Sequence, residues 1–210
     1  MCPRTEQART ATEEVKVSHS IIDPVRLILA SASPRRADLL AAAGFDFDVV
    51  AVEVDERVRP GEAPEDYVCR LALAKAREVA CRNPGSVVLG ADTAVVAGDR
   101  ILGKPADAGE ATEMLNTLSG RTHDVLTGVA VCCDGREARD VARSRVRFLQ
   151  LSPAEIAWYV ASAEPYDKAG GYAVQGLASR FVDSIDGSYS NVVGLPVSMV
   201  YCFLRDFGAA

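Results

Sequence analysis

The amino-acid sequence predicts an α/β fold with a mixed β-sheet. Apolar, β-branched runs alternate with amphipathic segments, the pattern of strands laid beside crossover helices. Two dipeptides, Gly98-Asp99 and Asp134-Gly135, stand between apolar runs and signal hairpins, so antiparallel pairs must join the parallel ones. A chain of 210 residues then makes one large domain, or two small lobes on a shared core.

Residues 1–23 read as a flexible N-terminal extension: they are polar, carry both signs of charge and lack the apolar stretch of a signal peptide. His19 falls in this extension, which makes it a poor candidate for catalysis. Residues 24–210 form a single domain whose order begins at Val25. VRLILA (25–30) predicts a buried strand. Ser33 as a cap, Pro34 at the first helical position and Gly44 as a stop predict a helix between them. FDVVAV (47–52) predicts a second strand, followed by an acidic loop with Glu53, Asp55 and Glu56. Pro64 opens a helix that runs to about Arg82. Residues 86–105 predict a strand, a polar break at Asp92, and a hairpin near Gly98-Asp99.

Asp107 with Glu110 resembles a capping box and starts a helix that stops at Gly120. HDVLTGVAVCC and ARSRVRFLQ flank the Asp134-Gly135 turn as two strands. Ser152, Pro153 and Glu155 start a helix through about Ala163, and a glycine-rich loop follows to Gly176. A last helix holds residues 191–207, with Pro196 starting or kinking it.

A hydrophobic fraction of 49% beside 25% charged residues excludes a disordered chain. No apolar run reaches the ~20 residues of a membrane helix. The net charge of −6 lacks the basic excess of a broad nucleic-acid-binding face, so a bound anion must be held by a few placed cations. The 6 cysteines form no CxxC pair, which points to free, buried thiols in a reducing cytoplasm.

Five places carry candidate chemistry. Ser31, Ser33, Arg35 and Arg36 stand at a strand-to-helix junction, where unpaired N–H groups, hydroxyls and guanidiniums suit a phosphate. The plainer alternative is a Ser-Pro cap with two solvated arginines. Lys75 falls inside the apolar stripe made by Val68, Leu71, Ala72 and Val79, so it must snorkel or meet an anion. Asp92 interrupts an apolar run and is a metal ligand, a general base or a turn residue. The acidic loop offers hard oxygen ligands for Mg²⁺ or Mn²⁺. GDRILGKP (98–105) has the spacing of a P-loop but puts Pro105 where a metal-binding hydroxyl belongs, so only Lys104 stays as a phosphate contact. His123 lies in a strand without a nucleophile motif.

These segments together resemble the Maf family of nucleoside triphosphate pyrophosphatases. The likeness rests on LILASASPRRADLL (27–40), VDE (54–56), RLALAKA (70–76), GADT (90–93), LGKP (102–105), LSGRTHDVLTGV (118–129), EPYDKAGGYAVQG (164–176) and GSYSNVVGLP (187–196). It implies an elongated α/β fold with a mixed sheet and a cleft between two lobes, as in the inosine-triphosphatase type, and a homodimer. It implies hydrolysis of the α–β phosphoanhydride with a divalent metal, Asp92 as proton acceptor, and phosphate contacts from Ser31, Arg35, Arg36, Lys75 and Lys104. Metal ligation falls on Glu56, with Asp92 and Asp107. Arg35, Thr93 and Gln175 match the subfamily acting on dTTP and UTP. A Gln amide suits uracil and thymine because it donates to a carbonyl and accepts from the imide N–H. Two rivals stay open at this point: a non-catalytic regulator of septum formation, and a purine-directed pyrophosphatase.

Overall fold

The computed structural model describes residues 25–210. The expected extension, with Cys2 and His19, lies outside the described residues. In chain order the first half runs β1 (Leu27–Ala30), α1 (Pro34–Ala42), β2 (Asp48–Val49), α2 (Pro64–Ala80), β3 (Val87–Ala97), β4 (Arg100–Leu102) and α3 (Ala108–Leu118). The second half runs β5 (Thr122–Cys133), β6 (Arg136–Phe148), α4 (Pro153–Ala161), three short 3-10 turns between Glu164 and Phe181, β7 (Val182–Asp186), α5 (Tyr189–Val193) and α6 (Val197–Asp206).

The strands form one mixed sheet in the order β2-β1-β3-β5-β6-β7, with β4 also on β3. β1 pairs in parallel with β2 and β3, and every other pair is antiparallel. Both hairpins form where the sequence places them. At the second, Asp134 and Gly135 both have positive φ (45° and 81°), the conformation a two-residue hairpin turn needs.

Three expectations are corrected. β3 does not break at Asp92 but pairs with β5 through it, Asp92 opposite Gly128. The carboxylate is tolerated there because an ammonium group from α2 meets it. β2 shrinks to two residues, Asp48 and Val49 beside Ile28 and Leu29, with one further bond from the Val50 N–H to Leu29 O at 3.0 Å. The C-terminal segment is two helices rather than one, with Pro196 at the cap of α6.

Alternation along β1 divides the core. Leu27 and Leu29 pack with Leu40, Val200 and Leu204 on one face, and Ile28 and Ala30 pack with Ala72, Leu73 and Ala76 of α2 on the other. A further cluster around Leu115, Phe148, Tyr159 and Phe181 fills the opposite end of the sheet. β3 and β5 are long enough to span both ends.

Two glycines set how closely α2 lies on the sheet. A Cβ on Gly90 of β3 would overlap the backbone of Ala72 and Ala76, and one on Gly128 of β5 would overlap Val68 and Cys69. Helix backbone thus rests directly on strand backbone beside Asp92. β1 pairs with β3 only as far as Gly90, and β4 begins pairing on the same edge at Val95. The edge between them, residues 91–94, is where the cleft opens.

No described helix is long and apolar enough to cross a membrane. Among the described cysteines all are free, and Cys132 is buried as expected. Cys81 and Cys202 are exposed, each on a helix end or outer face rather than in the core.

Candidate active site

A cleft of about 510 Å³ opens at this gap in the edge of β3. Ser31, Arg35, Arg36, Glu56, Lys75, Asp92, Thr93, Lys104 and Gln175 all line it. They come from the β1–α1 junction, the acidic loop, α2, β3, the loop after β4 and the glycine-rich loop. Asp107 is the exception among the expected residues. It caps α3, its carboxylate accepting the Glu110 N–H at 2.8 Å, and it does not line the cleft. Its spacing from Glu110 predicted that cap, and the ligand role was implied by the family likeness alone.

Lys75 stands at the centre of the charges. Its Nζ donates to Glu56 Oε1 and to Asp92 Oδ1, each at 2.7 Å. The Lys75 and Asp92 side chains are each 11% exposed, against 53% for Glu56, so the first two are a nearly buried ion pair and Glu56 closes it from the solvent side. Burial raises the pKa of Asp92 and outweighs the attraction of Lys75 and Arg36. Burial also works to raise Glu56, but the Lys75 hydrogen bond and charge, with Lys104 and Arg36 behind them, hold it below the ordinary glutamate range.

α1 begins at the cleft without a side-chain cap: Ser33 occupies the cap position but makes no capping hydrogen bond. The first N–H groups of this helix are therefore left for another acceptor. Arg36 crosses beneath them. Its Nε donates to Gly194 O at 2.8 Å, Nη1 to Ser31 Oγ at 3.1 Å and Nη2 to Thr93 Oγ1 at 3.0 Å. Ser31 Oγ also accepts the Ser33 N–H at 3.2 Å, so its own proton is free to point into the cleft. Thr93 Oγ1 lies 2.9 Å from Thr127 Oγ1, which ties this position to β5 as well as to Arg36. Arg35 faces Asp167 at 3.6 Å across the mouth.

Sequence reasoning missed several groups that line the cleft: Tyr67, Asp167, Lys168 and Tyr172. Tyr67 had a signal, since it precedes Lys75 by about two helical turns and lies on a neighbouring face. Asp167 and Lys168 had none beyond a glycine-rich loop. His123 stands behind the cleft, its Nε2 2.8 Å from the Tyr172 hydroxyl and its ring against Phe148. Burial lowers its pKa to about 4, so it is neutral at pH 7 and braces Tyr172.

A profile described as Maf-like protein matches residues 26–207, a span that holds every residue lining this cleft. The chain belongs to the Maf family. Curated Maf relatives include a protein of Syntrophus aciditrophicus named dTTP/UTP pyrophosphatase, 52% identical over 186 residues, covering 88% of this chain and 91% of the relative. A Myxococcus xanthus protein of the same name is 53% identical over 187 residues, covering 89% and 94%. Among solved structures, the Staphylococcus aureus Ham1 protein aligns over 87% of this chain and 99% of its own with a TM-score of 0.50 and 12% identity, a likeness of fold.

Proposed function

We propose that this Maf-family chain is a nucleoside triphosphate pyrophosphatase that hydrolyses dTTP and UTP to the monophosphate and pyrophosphate. The observation that carries the reading is the convergence of Ser31, Arg35, Arg36, Lys75 and Lys104 with Glu56 and Asp92 in one cleft. The names of relatives about half identical over nearly their whole length support the substrate class.

In this reading the uncapped start of α1, the Ser31 hydroxyl, Arg35 and Lys104 hold the triphosphate, and Arg36 fixes the donors around it. Water attacks the α-phosphorus, the new P–O bond forms as the bond to the bridging oxygen breaks, and pyrophosphate leaves. Asp92 takes the proton from that water. Lys75 stays beside Asp92 and keeps the developing charge neutralised. Gln175 pairs with the uracil or thymine imide, and Arg35 and Thr93 shape the same specificity.

A divalent cation, Mg²⁺ or Mn²⁺, fits the donors present. Glu56 Oε1 and Asp92 Oδ1 each accept from Lys75 Nζ at 2.7 Å, so their second oxygens, Oε2 and Oδ2, are the ones that would hold the cation. Among the described residues no group of three or more acidic, His or Cys side chains gathers, so the cation would need its other ligands from phosphate and water. When bound it would supply charge neutralisation on the phosphates. Asp92 then serves as proton acceptor, as ligand, or as both. The reading further implies a homodimer without stable nucleic-acid binding, working in the cytoplasm as one catalytic domain behind an N-terminal extension.

The test is a panel of nucleoside triphosphates with Mg²⁺ or Mn²⁺ and identification of products. Pyrophosphate with UMP and dTMP is expected. Orthophosphate would move the cut to another bond, and no turnover on any nucleotide would favour a regulator.

A further inference from the structure

Glu56 belongs to a stretch, residues 50–59, with no strand or helix of its own. Something else must hold it at Lys75, because an unpaired loop end pays a conformational cost each time it is fixed. The grip comes from the start of α2. Arg70 Nη1 donates to Asp55 O at 3.3 Å, and Arg70 Nη2 donates to Arg57 O at 3.1 Å. The Tyr67 hydroxyl donates to Glu56 O at 3.1 Å. Three consecutive carbonyls, centred on Glu56, are thus tied to one helix.

Arg70 is itself fixed. Its Nε donates to Glu62 Oε1 at 2.5 Å and its Nη2 to Glu62 Oε2 at 2.7 Å, a two-point fork. Glu62 Oε2 also accepts the Arg59 N–H at 3.0 Å, which closes the loop on itself. The Arg70 and Glu62 side chains are 19% and 8% exposed, far less than the other arginine–carboxylate pairs of this surface such as Arg57–Asp55 at 88% and 62%. The Arg70 guanidinium also lies over the Tyr67 ring, 5.6 Å from its centre. A lysine offers one charge centre and no fork, and cannot reach two carbonyls and a carboxylate together.

We propose that Arg70, locked by Glu62, is a positioning residue that holds the Glu56 carboxylate against Lys75 and Asp92, and so sets the productive geometry of the cleft. Arg70 does not line the cleft, and it acts through Glu56. The proposal rests on the role given to Glu56 in the proposed function.

The test combines turnover with amide hydrogen exchange on the full chain, using R70A, R70K, E62Q, E56Q and the double variant R70A/E56Q. R70A is expected to lower kcat/KM for UTP by about 10–100-fold, the range seen when a supporting partner of an active group is lost. R70K recovers only part of that loss, and E62Q, which keeps the shape of the partner, gives a smaller loss in the same direction. Exchange in residues 53–60 rises in R70A and E62Q while β3 stays protected. The double variant turns over no more slowly than E56Q alone. Multiplying losses in the double variant, or unchanged exchange in residues 53–60, would overturn the proposal. Full turnover of E56Q would instead overturn the role given to Glu56, and the exchange arm would still decide whether Arg70 holds the loop.

Discussion

Lys75 Nζ and Asp92 Oδ1 lie 2.7 Å apart between a helix and a strand that touch backbone to backbone. The pair exists because Gly90 and Gly128 remove the side chains that would keep α2 off the sheet. A lysine inside an apolar helical stripe and an aspartate inside an apolar strand are each costly alone, and here each answers the other. Arg36 and Glu56 add a second cation and a second carboxylate around the same point.

Replacing Asp92 by Asn removes the proton acceptor and keeps the shape. Steady-state kinetics should show kcat reduced by about 10²–10⁴-fold, the usual weight of a general base. Burial raises the Asp92 pKa above its ordinary value of 3.8, and the base must be ionised to work, so kcat/KM should fall on the acid side with a midpoint above 3.8. That limb should vanish from the residual activity of D92N. The melting temperature should fall, since the nearly buried Lys75 ammonium is left with the half-exposed Glu56 as its one carboxylate partner.

Gln175 is exposed in the loop after the last glycine-rich turn and lines the cleft. Gln175→Ala should lower kcat/KM for UTP by about 10-fold, near the value of one hydrogen bond. The loss on a triphosphate that is a poor substrate should be smaller, so the ratio between the two falls. Equal losses on both would take base selection away from Gln175.

Gly128→Ala tests the contact that brings Lys75 to Asp92. The new methyl meets the backbone of Val68 and Cys69, which no side-chain rotation relieves. Thermal unfolding should show a loss at or above about 1–3 kcal/mol, the usual cost of overpacking. A melting temperature equal to the parent's would mean that α2 has room to retreat.

The acid stability of the loop has a defined window. The Arg70 hydrogen bond, opposed by burial and helped by the Arg59 N–H, lowers the Glu62 pKa from 4.5 to about 2. A carboxylate with a depressed folded pKa contributes stability that is whole above 4.5 and is lost as pH falls toward about 2. Denaturant titrations across that window should therefore show a shallower fall in stability for E62Q than for the parent chain. Parallel curves would mean that the Arg70–Glu62 pair adds nothing.

Much of this was legible in the chain. Ser31, Arg35 and Arg36 stand out because a strand ends and a helix begins there, Lys75 because it breaks its own stripe, and all four line the cleft. Both hairpins were written in their turn dipeptides. The Asp107 cap was written in its spacing with Glu110, whereas its metal role came by family likeness alone. β3 runs through Asp92 because the neutralising partner is 17 residues away in sequence, out of reach of any local pattern. Arg70 was hidden for a similar reason: its work is done on carbonyl oxygens, and every residue has one. Thr93 was visible only by family likeness, while its contacts are with Arg36 and Thr127.

If the cleft directs water at the α-phosphorus, hydrolysis of UTP in heavy-oxygen water will mark the product that receives it. Mass spectrometry of the products should find the label in UMP and none in pyrophosphate. Label in the pyrophosphate, or release of labelled orthophosphate, would place the attack on another phosphorus and contradict the account.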